Sequence, residues 1–170
     1  ASFYNAYNRT GVSQAAGIDI LVHADGAGSL IDLSGADGEL NGGNERTSST
    51  TKLNMRASNG GTVDLSAVRS LTGHQTITVG DAADTFDLSA VGFTNFVRFV
   101  AKGTGRLDLP SLTEINATDF RASNGGVIDA SNATSYDGAR RRGGATAGIP
   151  LDITATGAGS SIDLSGLTTL

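Results

Sequence analysis

The stretches RASNGGTVDLSAV at Arg56–Val68 and RASNGGVIDASNA at Arg121–Ala133 decide how this chain folds. Each sets Arg-Ala-Ser-Asn-Gly-Gly before an apolar segment that carries an Asp. Ser-Asn-Gly-Gly supplies one residue that tolerates positive φ and two glycines, the chemistry of a sharp bend. Both flanks alternate with period two. Leu53, Met55 and Ala57 lead into the first bend, and Val63 and Leu65 lead out of it. Such alternation is the mark of half-buried strands.

Outward from these stretches the same unit recurs in weaker copies. An apolar residue, Asp and usually Leu-Ser appear at Asp32, Asp64, Asp87, Asp108, Asp129 and Asp163, with spacings of 32, 23, 21, 21 and 34 residues. The unit is therefore 21–23 residues long, with two longer intervals. Ala24, Ala57, Ala101, Ala122 and Ala155 precede their Asp by seven or eight residues. The alternation predicts Val97, Phe99 and Ala101 inward. It predicts His23, Arg56, Thr78, Val100, Arg121 and Thr154 outward at one level. A third apolar position follows the Leu-Ser corner, at Leu71, Phe96, Ile115 and Leu170.

A unit this short cannot bury its apolar stripe alone and must stack on its neighbours. At the strand spacing of roughly 4.8 Å, six or seven turns make a rod about 30 Å long. Composition agrees, since 24 of 170 residues are Gly and aromatics are 5%, which suits a thin interior. Gly interrupts every candidate helix.

The repeat length and corner chemistry resemble right-handed parallel β-helices, as in bacterial adhesins, autotransporter passenger domains and polysaccharide lyases, over about Ile18–Leu170. The resemblance implies an all-β solenoid over residues 18–170, with residues 1–17 as a cap or the end of a preceding coil. It also implies an extracellular or cell-surface protein of bacteria. A leucine-rich-repeat-like solenoid is the alternative, with Asn59 and Asn124 beginning a buried Asn ladder. The closing SIDLSGLTTL stops inside a repeat, as a piece of a longer protein would.

Stacked repeats would also stack the six Asp residues. Two carboxylates 4.8 Å apart repel by roughly 0.9 kcal/mol in water and about four times that at an effective dielectric of 20. Two arrangements offset this. Each Asp can accept the backbone N–H two residues on, closing an Asx-type turn; alternatively calcium can bridge Asp64, Asp87 and Asp108. The calcium-solenoid spacing G-G-x-G-x-D is not reproduced, and the local turn is the expectation, with no cofactor.

The long intervals carry polar, Gly-rich inserts at residues 36–51 and 137–150, expected after the second strand of their turns. Arg46, Arg140, Arg141 and Arg142 lie in them, and Arg forks suit carboxylates and sulfates. A net charge of −5 argues against nucleic acid, and no run of about 18 apolar residues exists to span a membrane. No Cys is present. His23 and His74 lack partner patterns, and no nucleophile elbow, Walker loop or zinc-protease motif occurs.

The functional expectation is a non-enzymatic, rigid structural or adhesive segment that presents the two inserts to a glycan or protein. The alternatives are a carbohydrate-active β-helix enzyme or its remnant, and a fibre unit that self-associates end to end.

Overall fold

The computed structural model describes residues 4–5, 19–43, 52–138 and 151–170. These residues are all-β, with no helix among them, and every strand pairing is parallel. After β1 (Tyr4–Asn5) the chain makes six turns. The first holds β2 (Asp19–Asp25), β3 (Leu30–Asp32) and β4 (Gly38–Asn41). The second holds β5 (Lys52–Ser58), β6 (Thr62–Asp64) and the start of β7 (Val68–Val79). The third holds the rest of β7, β8 (Thr85–Asp87) and the start of β9 (Phe93–Lys102). The fourth holds the rest of β9, β10 (Arg106–Asp108) and β11 (Glu114–Asn116). The fifth holds β12 (Asp119–Ser123), β13 (Val127–Asp129) and β14 (Ser135–Asp137), and the sixth β15 (Ile153–Thr156) and β16 (Ser161–Asp163).

Three walls result. The first is β2, β5, late β7, late β9, β12 and β15. The third is β1, β4, early β7, early β9, β11 and β14. Because β7 and β9 run through both, these two walls form one ten-stranded sheet. The second wall is two separate three-stranded sheets, β3–β6–β8 and β10–β13–β16.

Corner chemistry explains why Arg-Ala-Ser-Asn-Gly-Gly is written twice. Asn59 and Asn124 have φ of 53° and 54°, and Gly60 and Gly125 follow with 82° and 99°. The second glycine has a different reason. A Cβ on Gly61 would lie 2.2 Å from the Ala24 carbonyl oxygen, and one on Gly126 the same distance from that of Ala101. Each therefore lets the corner press against the backbone of the preceding turn. Asn59 and Asn124 are exposed. The buried Asn ladder of a leucine-rich repeat is thus not formed there, because both side chains stand on the outside of the bend.

The next corner is equally regular. The N–H three residues after each Leu or Ala closes a turn: Ala36 to Leu33, Val68 to Leu65, Val91 to Leu88, Leu112 to Leu109, Ala133 to Ala130 and Leu167 to Leu164, at 2.8–3.2 Å. Those residues turn inward. Leu53, Met55, Ala57, Val63, Leu65, Val97, Phe99 and Ala101 are all buried in one core cluster. Phe99 and Phe120 stack at 5.5 Å within it. Full burial of side chains this size is worth about 1.5–3 kcal/mol each, so the stack is held mainly by its interior.

Three expectations change. At the third apolar position Thr94, not Phe96, pairs with Leu71 and Ile115. Phe96 sits two residues past it in the bend, with φ of 61°. Leu170 is 93% exposed, and Thr169 makes the bridge to Ser135. The inserts leave after the third strand, not the second: Gly38–Asn41 is strand β4, paired with β7, and Asp137 ends β14. Ala155 is exposed, unlike Ala24, Ala57, Ala101 and Ala122, because no described turn covers it. Of residues 1–17, Tyr4 and Asn5 pair with Leu40 and Asn41.

Candidate functional site

The polar residues fall into three groups, set by the wall or corner that carries them. On the second wall, register joins Asp32, Asp64 and Asp87 in one column and Asp108, Asp129 and Asp163 in another. Five carboxylates accept the N–H two residues on: Ser34 to Asp32, Ser66 to Asp64, Ser89 to Asp87, Ser131 to Asp129 and Ser165 to Asp163, at 2.8–3.2 Å. The side chain and N–H of Ser34 hold Asp32 below the usual carboxylate range. Ser131, with help from Arg106, does the same for Asp129.

Asp108 is the exception, for a chemical reason. The residue two on is Pro110, which has no N–H to give. Arg106 takes its place. Its Nε lies 2.7 Å from Asp108 and its Nη2 3.0 Å from Asp129. The guanidinium is held above its usual value, chiefly by the bond to Asp108. Of the trio weighed for calcium, Asp64 and Asp87 are register neighbours, while Asp108 belongs to the other column.

On the first wall the outward row His23, Arg56, Thr78, Val100, Arg121 and Thr154 pairs strand by strand in that order. Beside it runs a chain of charge absent from the sequence reading. Asp119 is buried, its side chain 5% exposed. Arg98 reaches its Oδ2 through Nε at 2.8 Å and Nη2 at 2.7 Å. The N–H of Asp152 donates to its Oδ1 at 3.0 Å. Arg121 then spans Asp152 at 2.5 Å and Asp119 at 3.9 Å. The network ties the fourth, fifth and sixth turns together. The sequence held one signal for it: Arg98 and Arg121 stand 23 residues apart, about one repeat.

A second residue that the reading missed is Asp84. It is buried and accepts N–H bonds from Gly60, Gly80 and Asp81 at 2.8–3.0 Å. Asp25 plays a related part, bound by Ser58 Oγ and Asn59 Nδ2, both at 2.7 Å, which hold it below the usual carboxylate range.

The bend between the third and first walls is the corner from which both inserts leave. In the intervening turns it is made by Gly73, Phe96 and Ala117, with φ of 77°, 61° and 40°. The His74 and Phe96 rings stack there at 6.3 Å. His23 lies apart, its Nε2 2.7 Å from Ser58 Oγ. Tyr136 donates to the Thr118 carbonyl at 2.9 Å, and burial raises its phenol above the usual value. Arg46, Arg140, Arg141 and Arg142 lie outside the described residues. Among the described residues no cluster of three or more His, Asp or Glu takes the form of a metal centre, and no helix is long and apolar enough to cross a membrane.

No protein-family model, no curated protein and no solved structure matches the chain.

Proposed function

We propose that the chain is a rigid, non-enzymatic structural or adhesive segment of a bacterial surface or secreted protein. In this reading the stacked turns are a right-handed parallel β-helix, and the inserts within 36–51 and 137–150 face a glycan or protein partner. One observation carries it: the Asp columns and the Arg–Asp pairs of the described turns are engaged in closing corners and in fastening turn to turn. The Asp columns close their own corners, Arg106 joins Asp108 to Asp129, and Arg98 and Arg121 join the fourth turn to the sixth. A catalytic acid or base needs its proton-transfer atoms free for substrate. Here one oxygen of each carboxylate in the Asp columns other than Asp108 holds its own corner, and Asp119 is tied to Arg98 and the Asp152 N–H. Both inserts depart from one corner column, four turns apart, which puts them about 19 Å from each other on one edge.

The test pairs a glycan array with turnover assays on the same glycans. Binding without cleavage, lost when residues 44–50 and 139–150 are replaced by short Gly-Ser links, is the expected result. Depolymerised product in the turnover arm would overturn the reading in favour of a carbohydrate-active enzyme.

A further inference from the structure

The second wall is stitched by two series of backbone bonds, and both lapse at the same place. In one series the N–H after each Asp donates to the Asp carbonyl of the next turn: Leu33 to Asp64, Leu65 to Asp87, Leu109 to Asp129 and Ala130 to Asp163, at 2.9–3.1 Å. Leu88 to Asp108 is the step missing from it. In the other series Thr62 donates to Ser29, Thr85 to Gly61, Val127 to Gly105 and Ser161 to Gly126, at 2.8–3.1 Å. Arg106 to Asp84 is the missing step there. Among the described residues β8 therefore pairs only with β6, and β10 only with β13. The gap is short. Ala82 N–H reaches Thr104 Oγ1 at 3.1 Å on one side of it, and Ser111 Oγ reaches the Ser89 carbonyl at 2.5 Å on the other.

Among the described residues nothing comparable interrupts the other two walls. Between the third and fourth turns the first wall keeps five residue pairs of β7 and β9, from Gln75 to Val79, and the third wall keeps three of β9 and β11. Two local features favour parting at this level. Asp84 ties the third turn's corner back to Gly60 of the second turn. The inward column Ile31, Val63, Phe86, Leu107, Ile128, Ile162 has its only aromatic at Phe86, which is 8% exposed while Val63 and Ile128 are fully buried. Ion pairs among the described residues join the first turn to the second, the fourth to the fifth and the fifth to the sixth. None of them joins the second to the third or the third to the fourth; the second and third are joined on the second wall by the β6–β8 ladder, which the third and fourth lack.

We infer that the β8–β10 seam is a hinge at the middle of the stack. The second wall opens there, and the continuous sheet of β7, β9 and β11 is the leaf that flexes. Unpaired backbone groups need water, and a region with few fastenings opens first. The molecule is then two three-turn blocks on a common back.

Two measurements test this on the intact chain. Residue-resolved amide exchange is expected to show Phe86, Leu88, Arg106 and Asp108 exchanging at least about 100-fold faster than Leu65 and Leu109. Equal protection would overturn the seam. The chain has no Cys, so label pairs can be introduced cleanly. Ser34→Cys with Ser165→Cys spans the second wall; His23→Cys with Thr154→Cys spans the first. Both pairs cross the same five intervals, about 24 Å. The hinge requires a broader distance distribution on the second wall than on the first. Distributions of equal width would overturn it. Neither measurement depends on a ligand, so its failure leaves the adhesive reading separate.

Discussion

The two halves of the second wall carry matching columns of Asp residues and hold them alike except at Asp108. In turns one to three, Asp32, Asp64 and Asp87 each accept the N–H of the Ser two residues on. In turns four to six, Asp108 has no such donor, and Arg106 serves Asp108 and Asp129 together. Three neighbouring carboxylates are thus each met inside their own corner. Where Pro110 removes the N–H, the Arg106 guanidinium stands beside Asp108. The first wall follows the same division: Arg98, Asp119, Arg121 and Asp152 all lie in turns four to six.

The largest expected effect uses that division. Arg98→Ala leaves the buried Asp119 carboxylate with the Asp152 N–H and a distant Arg121. Breaking a buried pair from one side costs about 3–5 kcal/mol. Arg98 is itself 37% exposed, so about 3 kcal/mol is expected. Arg69→Ala, the counterpart in the upper half, removes an ion pair whose side chains are 78% and 59% exposed, and should change stability by under about 0.5 kcal/mol. Chemical denaturation of both variants measures the contrast. Equal losses would show that the two halves are fastened alike.

Much of this was legible because the repeat is local. Alternation over four or five residues fixes which side chains face inward, and Asn59, Gly60 and Gly61 announce a bend by their backbone freedom alone. The outward row from His23 to Thr154 followed from counting residues back from each Asp, and its register is the one found. What stayed hidden depends on vertical neighbours of unlike type. Nothing in TDFR or LDIT says that Asp119 is buried under Arg98, because that burial depends on how two walls meet. Phe96 was misplaced because a bulky residue at positive φ is rare, and an apolar residue near the right count looks like core. The inserts were assigned to the wrong corner because Gly38–Asn41 is Gly-led and polar, yet pairs with β7 in full.

A middle-sized effect tests whether Arg106 substitutes for the missing N–H. Arg106→Ala should cost about 1 kcal/mol, since the guanidinium is half exposed. Pro110→Ser restores a donor two residues after Asp108 and recreates the corner of the other five turns. In that background Arg106→Ala should cost less than half as much, a coupling that a double-mutant cycle reads directly. Additive losses would mean that the Arg and the Pro act independently.

The smallest effect is in the pH response of the two columns. Asp32 and Asp129 both have folded values below their unfolded ones. Each therefore adds stability that is fully present above the unfolded value, near 3.9, and is lost as pH falls through the lower folded value. Thermal midpoints should be flat above about pH 5 and fall below about pH 4, and Asp32→Asn or Asp129→Asn should each flatten that fall. The causes differ. The shift of Asp32 comes from Ser34 alone, while that of Asp129 also draws on Arg106, an exposed charge within reach of salt. Raising NaCl to about 0.5 M shortens the screening length to a few ångströms. It should weaken the Asp129 contribution and leave that of Asp32 in place. Equal salt sensitivity in the two variants would erase the distinction between a carboxylate held by its own corner alone and one held by its corner together with a neighbouring cation.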